Sequence, residues 1–182
     1  MQKIAAFLGA WWSGKSTHAI HVREIFELIK PLNYTTREKR GKKDIDYTHI
    51  SVKEFQQKLM QWELFNSINF DGNLYWFDNE NIENTNELIL CITPQAIDYI
   101  KEYAKKTNAE LITIFFDTPE QELRRRILKR GVSKEETEKR IVTDQIEIRN
   151  RPHAYDYILD TEKPLKDVRI ELMPILEGFF SR

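Results

Sequence analysis

One short segment near the N-terminus has residue types and spacing that can do chemistry. Gly9 and Gly14 enclose four residues and are followed by Lys15 and Ser16. This is the phosphate-loop pattern, in which glycines let the backbone turn tightly so that successive N–H groups bind phosphate oxygens. The lysine adds a positive charge at the transferred phosphoryl group, and the serine hydroxyl is the expected Mg²⁺ ligand. The pattern predicts a nucleotide-phosphate site formed by Gly9, Ala10, Ser13, Gly14, Lys15, Ser16 and Thr17.

The sequence on each side of this phosphate loop, residues 9–16, has the order that the pattern requires. Lys3–Leu8 is an apolar run of strand length, and apolar residues recur at helical spacing from Thr17 towards Pro31. A chance match in an ordinary loop is the alternative interpretation. The order of strand, loop and helix favours the phosphate site.

Length, charge and cysteine content limit the class of protein. The 182 residues suit one α/β domain, and a formal net charge of -1 gives no overall attraction to nucleic acid or to a membrane surface. The one cysteine, Cys91, excludes a disulfide framework and is expected to be buried and unreactive. The chain has no apolar stretch of membrane-spanning length and no signal-peptide pattern at its start. We therefore expect a cytoplasmic protein with neither nucleic acid nor a membrane as a partner.

Strand and helix patterns alternate along most of the chain. Apolar strand patterns at 87–92, 111–116 and 155–159 are separated by helical patterns, which predicts a parallel sheet flanked by helices, the α/β class. One of these helices is expected to begin after Thr118, with Thr118 as its N-cap and Pro119 at its first position. The predicted core comprises residues 1–32, 87–125 and 150–182.

Residues 33–86 interrupt the alternation with a polar and aromatic composition. Ser51 and Glu54 form a capping-box pattern, and Asp71-Gly72 lies between two strand patterns as in a hairpin. The segment is therefore predicted to be an inserted α+β subdomain.

Two arginines of this insert suggest a second phosphate site. Arg37 and Arg40 are three residues apart and are followed by Asp46-Tyr47. Two guanidinium groups and a phenol can hold a dianionic phosphate, because each arginine offers paired donors in fixed geometry. Judged by charge alone, Arg37 and Arg40 could equally well form a solvated basic surface instead of a phosphate site.

The order of these segments resembles the guanylate kinase family over nearly the whole chain, from Lys3 to the final helix. The matching pieces are more specific together than any one of them. They are the phosphate loop, Thr35-Thr36-Arg37 with Arg40, Asp46-Tyr47, Gly72-Asn73-Leu74-Tyr75, Lys129-Arg130-Gly131, Lys139-Arg140-Ile141 and Tyr155-Asp156-Tyr157.

The resemblance implies a single guanylate kinase-like domain, residues 1–182, with a P-loop NTPase fold. Residues 33–86 would bind a monophosphate, and residues 126–149 would form a helical lid. The implied reaction is phosphoryl transfer from ATP, with Mg²⁺, to a nucleoside monophosphate. The acceptor would be held by Arg37, Arg40, Tyr47 and Tyr75, with Asn33 and Asn66 at its base, and the catalytic residues would be Lys15, Arg126, Arg130 and Arg140.

The sequence departs from the family where the acceptor base is read. Asn66 replaces a glutamate and Asn33 replaces a serine, while Cys91 and Thr93 replace two aspartates. A carboxylate accepts two hydrogen bonds from guanine, whereas an amide offers one acceptor and one donor. The two asparagines could pair with adenine or could accept from guanine through water. GMP or dGMP is the leading acceptor on family grounds, and the ribo or deoxyribo preference stays open.

A protein of another class is the main alternative to an enzyme. Guanylate kinase-like modules that bind phosphorylated peptides typically lose the phosphate-loop lysine and the lid arginines. This chain has Lys15 and the lid arginines Arg126, Arg130 and Arg140, which favours a kinase. Trp11 and Trp12 replace compact family residues, and they either cover the bound phosphates or pack outside the loop. The sequence is compatible with a monomer or a homodimer.

Overall fold

The computed structural model describes residues 1–39, 47–61, 67–70, 72–149 and 155–180. The chain forms two compact units, the first made of Met1–Leu28 with Ile89–Arg182 and the second of Ile29–Leu88. Across the described residues, no helix is long and apolar enough to cross a membrane. Each unit has its own sheet and is described by itself.

The helices and strands follow one another in an α/β order. They are β1 (Lys3–Leu8), α1 (Lys15–Phe26), β2 (Asn33–Thr35), β3 (Thr48–His49), α2 (Val52–Met60), β4 (Ile68–Phe70), β5 (Asn73–Phe77), α3 (Asn79–Glu83), β6 (Glu87–Cys91), a 3₁₀ turn (Pro94–Ala96), α4 (Ile97–Thr107), β7 (Glu110–Asp117), α5 (Glu120–Lys129), α6 (Lys134–Arg149), β8 (Tyr157–Asp160) and α7 (Leu165–Phe180).

The first unit is built on a sheet with the strand order β6-β1-β7-β8. β7 is parallel to both of its neighbours, with Lys3 opposite Glu110 and Ile114 opposite Tyr157. From Ile4 to Leu8 every side chain of β1 is buried, as is typical of parallel strands covered on both faces. The predicted parallel sheet flanked by helices is confirmed. Side chains from α1, α7 and the strands form its main core, namely Ala5, Phe7, Ala19, Val22, Phe26, Ile89, Ile114, Phe116, Leu159, Val168, Leu172, Leu176 and Phe180.

The second unit contains a smaller sheet with the order β3-β2-β5-β4. β4 and β5 form the predicted hairpin, with Phe70 opposite Asn73 and Gly72 at a φ of 74° in the turn. β5 also pairs antiparallel with β2. The capping box of α2 is confirmed too, because the Ser51 hydroxyl accepts from the Glu54 N–H and the Glu54 carboxylate accepts from the Ser51 N–H.

Three local expectations were wrong. α1 ends at Phe26, short of Pro31, because Glu27 adopts a left-handed conformation with a φ of 56° and so terminates the helix. Thr118 does not cap α5, whose N-cap is Pro119. The Thr118 hydroxyl instead bonds to the Thr161 hydroxyl, a tertiary contact that the local pattern does not contain. Cys91 is half-buried at the end of β6, where it packs beside the main core.

Asp156, the central residue of the Tyr155-Asp156-Tyr157 segment, ties β8 to β7. Its Oδ2 accepts hydrogen bonds from both the backbone N–H and the hydroxyl of Thr113, each at 2.7 Å. In return, the Asp156 N–H donates to the Thr113 hydroxyl at 3.0 Å. This aspartate therefore fixes the start of β8 on the sheet.

Replacing this carboxylate should destabilise the sheet. Asp156→Ala leaves the nearly buried Thr113 without its carboxylate acceptor, which costs about 1–3 kcal/mol. Thermal unfolding should show a Tm lower by about 3–10 °C. Glu162→Ala, at an exposed position beyond β8, is the control and should leave Tm unchanged. An unchanged Tm for Asp156→Ala would contradict the structural role.

Candidate active site

The phosphate loop depends on the backbone geometry of its two glycines. Gly9 has a φ of 145°, and a Cβ there would lie 2.7 Å from the Phe116 carbonyl oxygen and 2.9 Å from the Ser13 hydroxyl. Gly14 has a φ of 97° and is the N-cap of α1. Only glycine fits the first position sterically, and both positions have a backbone conformation that L-residues rarely adopt. The N–H groups of the loop therefore lie next to the N-terminus of α1, and helix N-termini bind anions.

Lys15 lies over this loop. Its ammonium donates to the carbonyl oxygens of Gly9 and Ala10, at 2.8 and 2.6 Å, and is 3.4 Å from the Ser13 hydroxyl. Ser13 is fully buried, and its N–H donates to the Ala10 carbonyl at 3.2 Å. Ser16 and Thr17 are exposed in the first turn of α1. The residues predicted to bind the nucleotide phosphates thus form one continuous segment that runs from the end of β1 into the first turn of α1.

Arg126 of α5 reaches the phosphate loop. Its Nη1 donates to the Trp12 carbonyl at 3.4 Å and its Nη2 donates to the Thr161 carbonyl after β8. Its Nε donates to Glu122 at 2.7 Å. Hydrogen bonds from Arg125 and then from Arg126 lower the pKa of Glu122 to about 2 despite its burial, so this glutamate stays ionised and holds the arginine.

Trp12 joins the loop to the helices that follow β7. The residue has a φ of 71°, a conformation that costs a bulky side chain about 1–2 kcal/mol. Its ring lies below the Arg130 guanidinium, at 4.6 Å from the ring centroid. The ring also packs against an apolar cluster between the loop, α5 and α6, formed by Ala10, Leu123, Ile127 and Ile141. Trp12 therefore packs outside the loop, which is one of the two alternatives that the sequence left open.

Arg140 and Asp144 lie one turn apart on α6. The Arg140 Nε donates to Glu136 at 2.8 Å. The Asp144 side chain is only 3% exposed and accepts a hydrogen bond from the Trp11 backbone N–H. Among the residues that the structure describes, its Oδ2 has no hydrogen-bond partner.

Burial raises the pKa of Asp144 to about 7, although three effects act in the opposite direction. These are the positive charge of Lys15, the hydrogen bond from Trp11 and the charge of Arg140. Sequence reasoning missed this residue. The sequence does contain a pattern that could have indicated it. Thr137, Ile141 and Asp144 have helical spacing, so the acid lies on the same buried face of α6 as the other two residues.

His18 is a second residue that the sequence reasoning missed. It is buried on α1 behind Gly14 and packs against Phe116 at a ring distance of 5.4 Å. Burial lowers its pKa to about 4, and the charges of Arg169, His21 and Arg126 add to this effect. The imidazole is therefore neutral at physiological pH and acts as packing beneath the loop.

The second unit brings three predicted acceptor residues together. The rings of Tyr47 and Tyr75 lie edge to face at 5.6 Å, and the Arg37 guanidinium carbon is 5.7 Å from the Tyr47 centroid. Arg37 is 8% exposed, and its Nη1 donates to the Glu38 carbonyl at 2.9 Å. We call Arg37, Tyr47 and Tyr75 the arginine–tyrosine cluster.

The backbone after β2 positions this cluster. Thr36 bonds to Leu74 through its N–H and through its hydroxyl, at 3.1 and 2.9 Å, which holds the segment before Arg37 against β5. The His49 Nδ1 donates to the Arg37 carbonyl at 2.7 Å. Asn33 lies at the start of β2, opposite Phe77. The remaining predicted acceptor residues, Arg40 and Asn66, lie outside the described residues.

The donor atoms near the loop are compatible with Mg²⁺. This ion favours oxygen ligands and usually keeps phosphates and waters beside one or two protein groups. The exposed Ser16 hydroxyl can supply one such oxygen at the start of α1. The described part of the chain has no group of three or more His, Cys, Asp or Glu side chains that could hold a metal by itself.

Comparisons with known proteins agree with this architecture. The family model described as guanylate kinase matches residues 15–177. The crystal structure of guanylate kinase from Anaplasma phagocytophilum superposes with a TM-score of 0.69 at 19% identity, covering 97% of this chain and 85% of that one. The crystal structure of APE1195 gives a TM-score of 0.53 at 12% identity, with 96% and 94% covered. No curated protein matches the sequence.

The buried acid predicts a specific pH dependence of stability. The pKa of Asp144 rises from 3.8 to about 7 on folding, so the ionised group lowers stability above pH 7, and this cost disappears as the pH falls towards 4. Asp144→Asn should raise Tm by several degrees at pH 8, since each pKa unit is worth about 1.4 kcal/mol, and should change it little at pH 4. Thermal unfolding at both pH values measures this.

The matched control is Glu135→Gln, which removes the same charge from an exposed position of α6. It should give no comparable gain at either pH. A gain for Asp144→Asn that is equal at pH 4 and pH 8 would contradict the raised pKa.

Proposed function

Because the chain belongs to the guanylate kinase family and is a nucleoside monophosphate kinase, we propose that it transfers the terminal phosphoryl group of ATP to GMP or dGMP. The observation that carries the proposal is the glycine-dependent phosphate loop, with Lys15 over it and Arg126 bonded to it. Such a loop binds the phosphates of a nucleoside triphosphate rather than its base.

The donor's phosphates would lie at the N-terminus of α1. The loop N–H groups would bind phosphate oxygens, and Lys15 would exchange its carbonyl partners Gly9 and Ala10 for a phosphate. Mg²⁺, held by Ser16 and the phosphates, would neutralise charge on the transferred group when it is bound. Lys15 would hold the terminal phosphate in position for attack by the acceptor.

Arginines of α5, of its C-cap and of α6 would stabilise the transferring group. Phosphoryl transfer has a loose transition state with its charge spread over several oxygens, so catalysis consists mainly of positioning and electrostatic stabilisation. Arg126, Arg130 and Arg140 supply such charges. Glu122 and Glu136 hold the first and the last of them by hydrogen bonds, which limits their reorientation during the reaction. The mechanism requires no protein nucleophile.

The acceptor's phosphate would bind to the arginine–tyrosine cluster. The Arg37 fork supplies paired donors, and the Tyr47 and Tyr75 hydroxyls can add further hydrogen bonds. Arg40 remains a predicted fourth contact. Guanine is the proposed base because of the family, and a kinase with another base preference is the alternative that Asn33 and Asn66 support. A cytoplasmic location and the choice between monomer and homodimer stay predictions.

A coupled assay with Mg·ATP and a panel of ribo- and deoxynucleoside monophosphates tests the reaction. We expect turnover with GMP or dGMP, and Lys15→Ala should lower kcat by about 10²–10³-fold because one charge-stabilising donor is lost. Lys166→Ala, at an exposed position of α7, should not change kcat. Turnover with another base alone would contradict the guanine assignment. No turnover with any acceptor would contradict the proposed reaction.

The acceptor role of Arg37 predicts a selective change in KM. Arg37→Lys keeps the charge but removes the fork, so the KM for the monophosphate should rise by about 10–100-fold, the usual value of a hydrogen bond to a charged group. The KM for ATP should stay constant in the same steady-state measurements. Lys53→Ala, on the exposed side of α2, should alter neither constant. An equal rise in both KM values would contradict an acceptor-specific role.

A further inference from the structure

The Asp144 carboxylate accepts a hydrogen bond from a backbone N–H of the phosphate loop. The Trp11 N–H belongs to the segment whose N–H groups bind anions, and it donates to Asp144 of α6. The charges of Lys15 and Arg140 act on the same carboxyl group. Both residues belong to the proposed set that binds or stabilises phosphates. Asp144 therefore lies within the electrostatic field that the site provides for the donor.

Stability of the fold does not explain an acid at this position. The buried face of α6 carries Thr137 and Ile141, and Asp144 continues this face at 3% exposure. Within the described chain one of its oxygens has no hydrogen-bond partner, and burying an incompletely paired carboxylate is costly. A neutral side chain of similar size would have a lower free-energy cost of burial at this position. The position thus has the features of a functional acid.

We propose that Asp144 is an internal anion that occupies part of the phosphate loop in the nucleotide-free enzyme and competes with the phosphates of ATP. The inference rests on the proposed function in so far as ATP is the donor. Asp144 satisfies the loop N–H and partly neutralises Lys15 and Arg140 when no nucleotide is bound. Binding of a triphosphate requires this carboxylate to withdraw or to become neutral, because like charges repel at short distance. Asp144 consequently sets the affinity for the donor.

The groups around Asp144 make this competition sensitive to pH. Lys15 acts on it from the start of α1 and Arg140 from its own helix. On α5, Arg126 has its three fork nitrogens bonded to Glu122, Trp12 and Thr161. The 3₁₀ turn Pro94–Ala96, which also packs against α6, has no titratable side chain. With a pKa of about 7, Asp144 becomes neutral as the pH falls below 7, and its competition with phosphate weakens.

Isothermal titration of the full chain with Mg·ATP at pH 6 and pH 8 tests the inference. At pH 8, Asp144→Asn should bind ATP at least about tenfold more tightly than the wild type, because a like charge close to the phosphates is removed. At pH 6 the difference should be smaller. Protonation of ATP itself is common to both proteins and cancels in the ratio of their Kd values. The Kd for GMP should be unchanged.

Glu135→Gln is the matched control for net charge, and it should bind ATP as the wild type does. Unchanged or weaker binding by Asp144→Asn would overturn the inference, as would an equal gain for Glu135→Gln or a gain independent of pH. Circular dichroism and Tm check that each variant is folded. If Asp144→Asn does not fold, Asp144→Ser takes its place with the same expected result.

A parallel titration with inorganic tripolyphosphate separates this inference from the proposed function. Tripolyphosphate needs only the loop and its charges. If the wild type binds tripolyphosphate and not ATP, the donor assignment fails, and the effect of Asp144→Asn on tripolyphosphate still decides the role of Asp144. If the wild type binds neither, both proposals are overturned.

Discussion

The close approach of the phosphate loop to β7 is the constraint on which the first unit depends. The Phe116 carbonyl lies so near Gly9 that a Cβ would be 2.7 Å away, so the loop leaves β1 at a position that only glycine can occupy. Gly14 then starts α1 in a left-handed conformation. The loop N–H groups and the helix N-terminus converge for this reason, which creates a concentrated positive potential without any charged side chain.

The charged side chains around the loop are held by partners rather than left in solvent. Lys15 is bonded to loop carbonyls, and the Glu122 carboxylate holds Arg126. Trp12 has a strained backbone conformation. Its side chain contacts the Arg130 guanidinium and the apolar cluster between the loop, α5 and α6. Strain of this kind persists only where surrounding contacts enforce it, and it often accompanies a functional site. The loop and the helices beyond β7 therefore form one connected assembly.

Much of the fold and part of the site follow from local rules. The phosphate loop, the capping box at Ser51 and the hairpin at Gly72 each depend on residues within a few positions of one another. The family resemblance added the expectation that Arg37 would join Tyr47 and Tyr75, and the structure places these three side chains together. Arg40 and Asn66 are predicted acceptor residues outside the described part of the chain.

The sequence by itself determined the phosphate loop, the alternation of strands and helices and the family, because these depend on spacing and periodicity along the chain. Only the tertiary structure decided the roles of Thr118, Trp12 and Asp144. Thr118 meets a partner 43 residues away, and the Trp12 carbonyl meets Arg126 across 114 residues. In the sequence Asp144 is one acid among many on charged helices. The packing of α6 beside the loop brings the Asp144 carboxylate to the Trp11 N–H and also buries it, which raises its pKa. Both effects are properties of the folded chain.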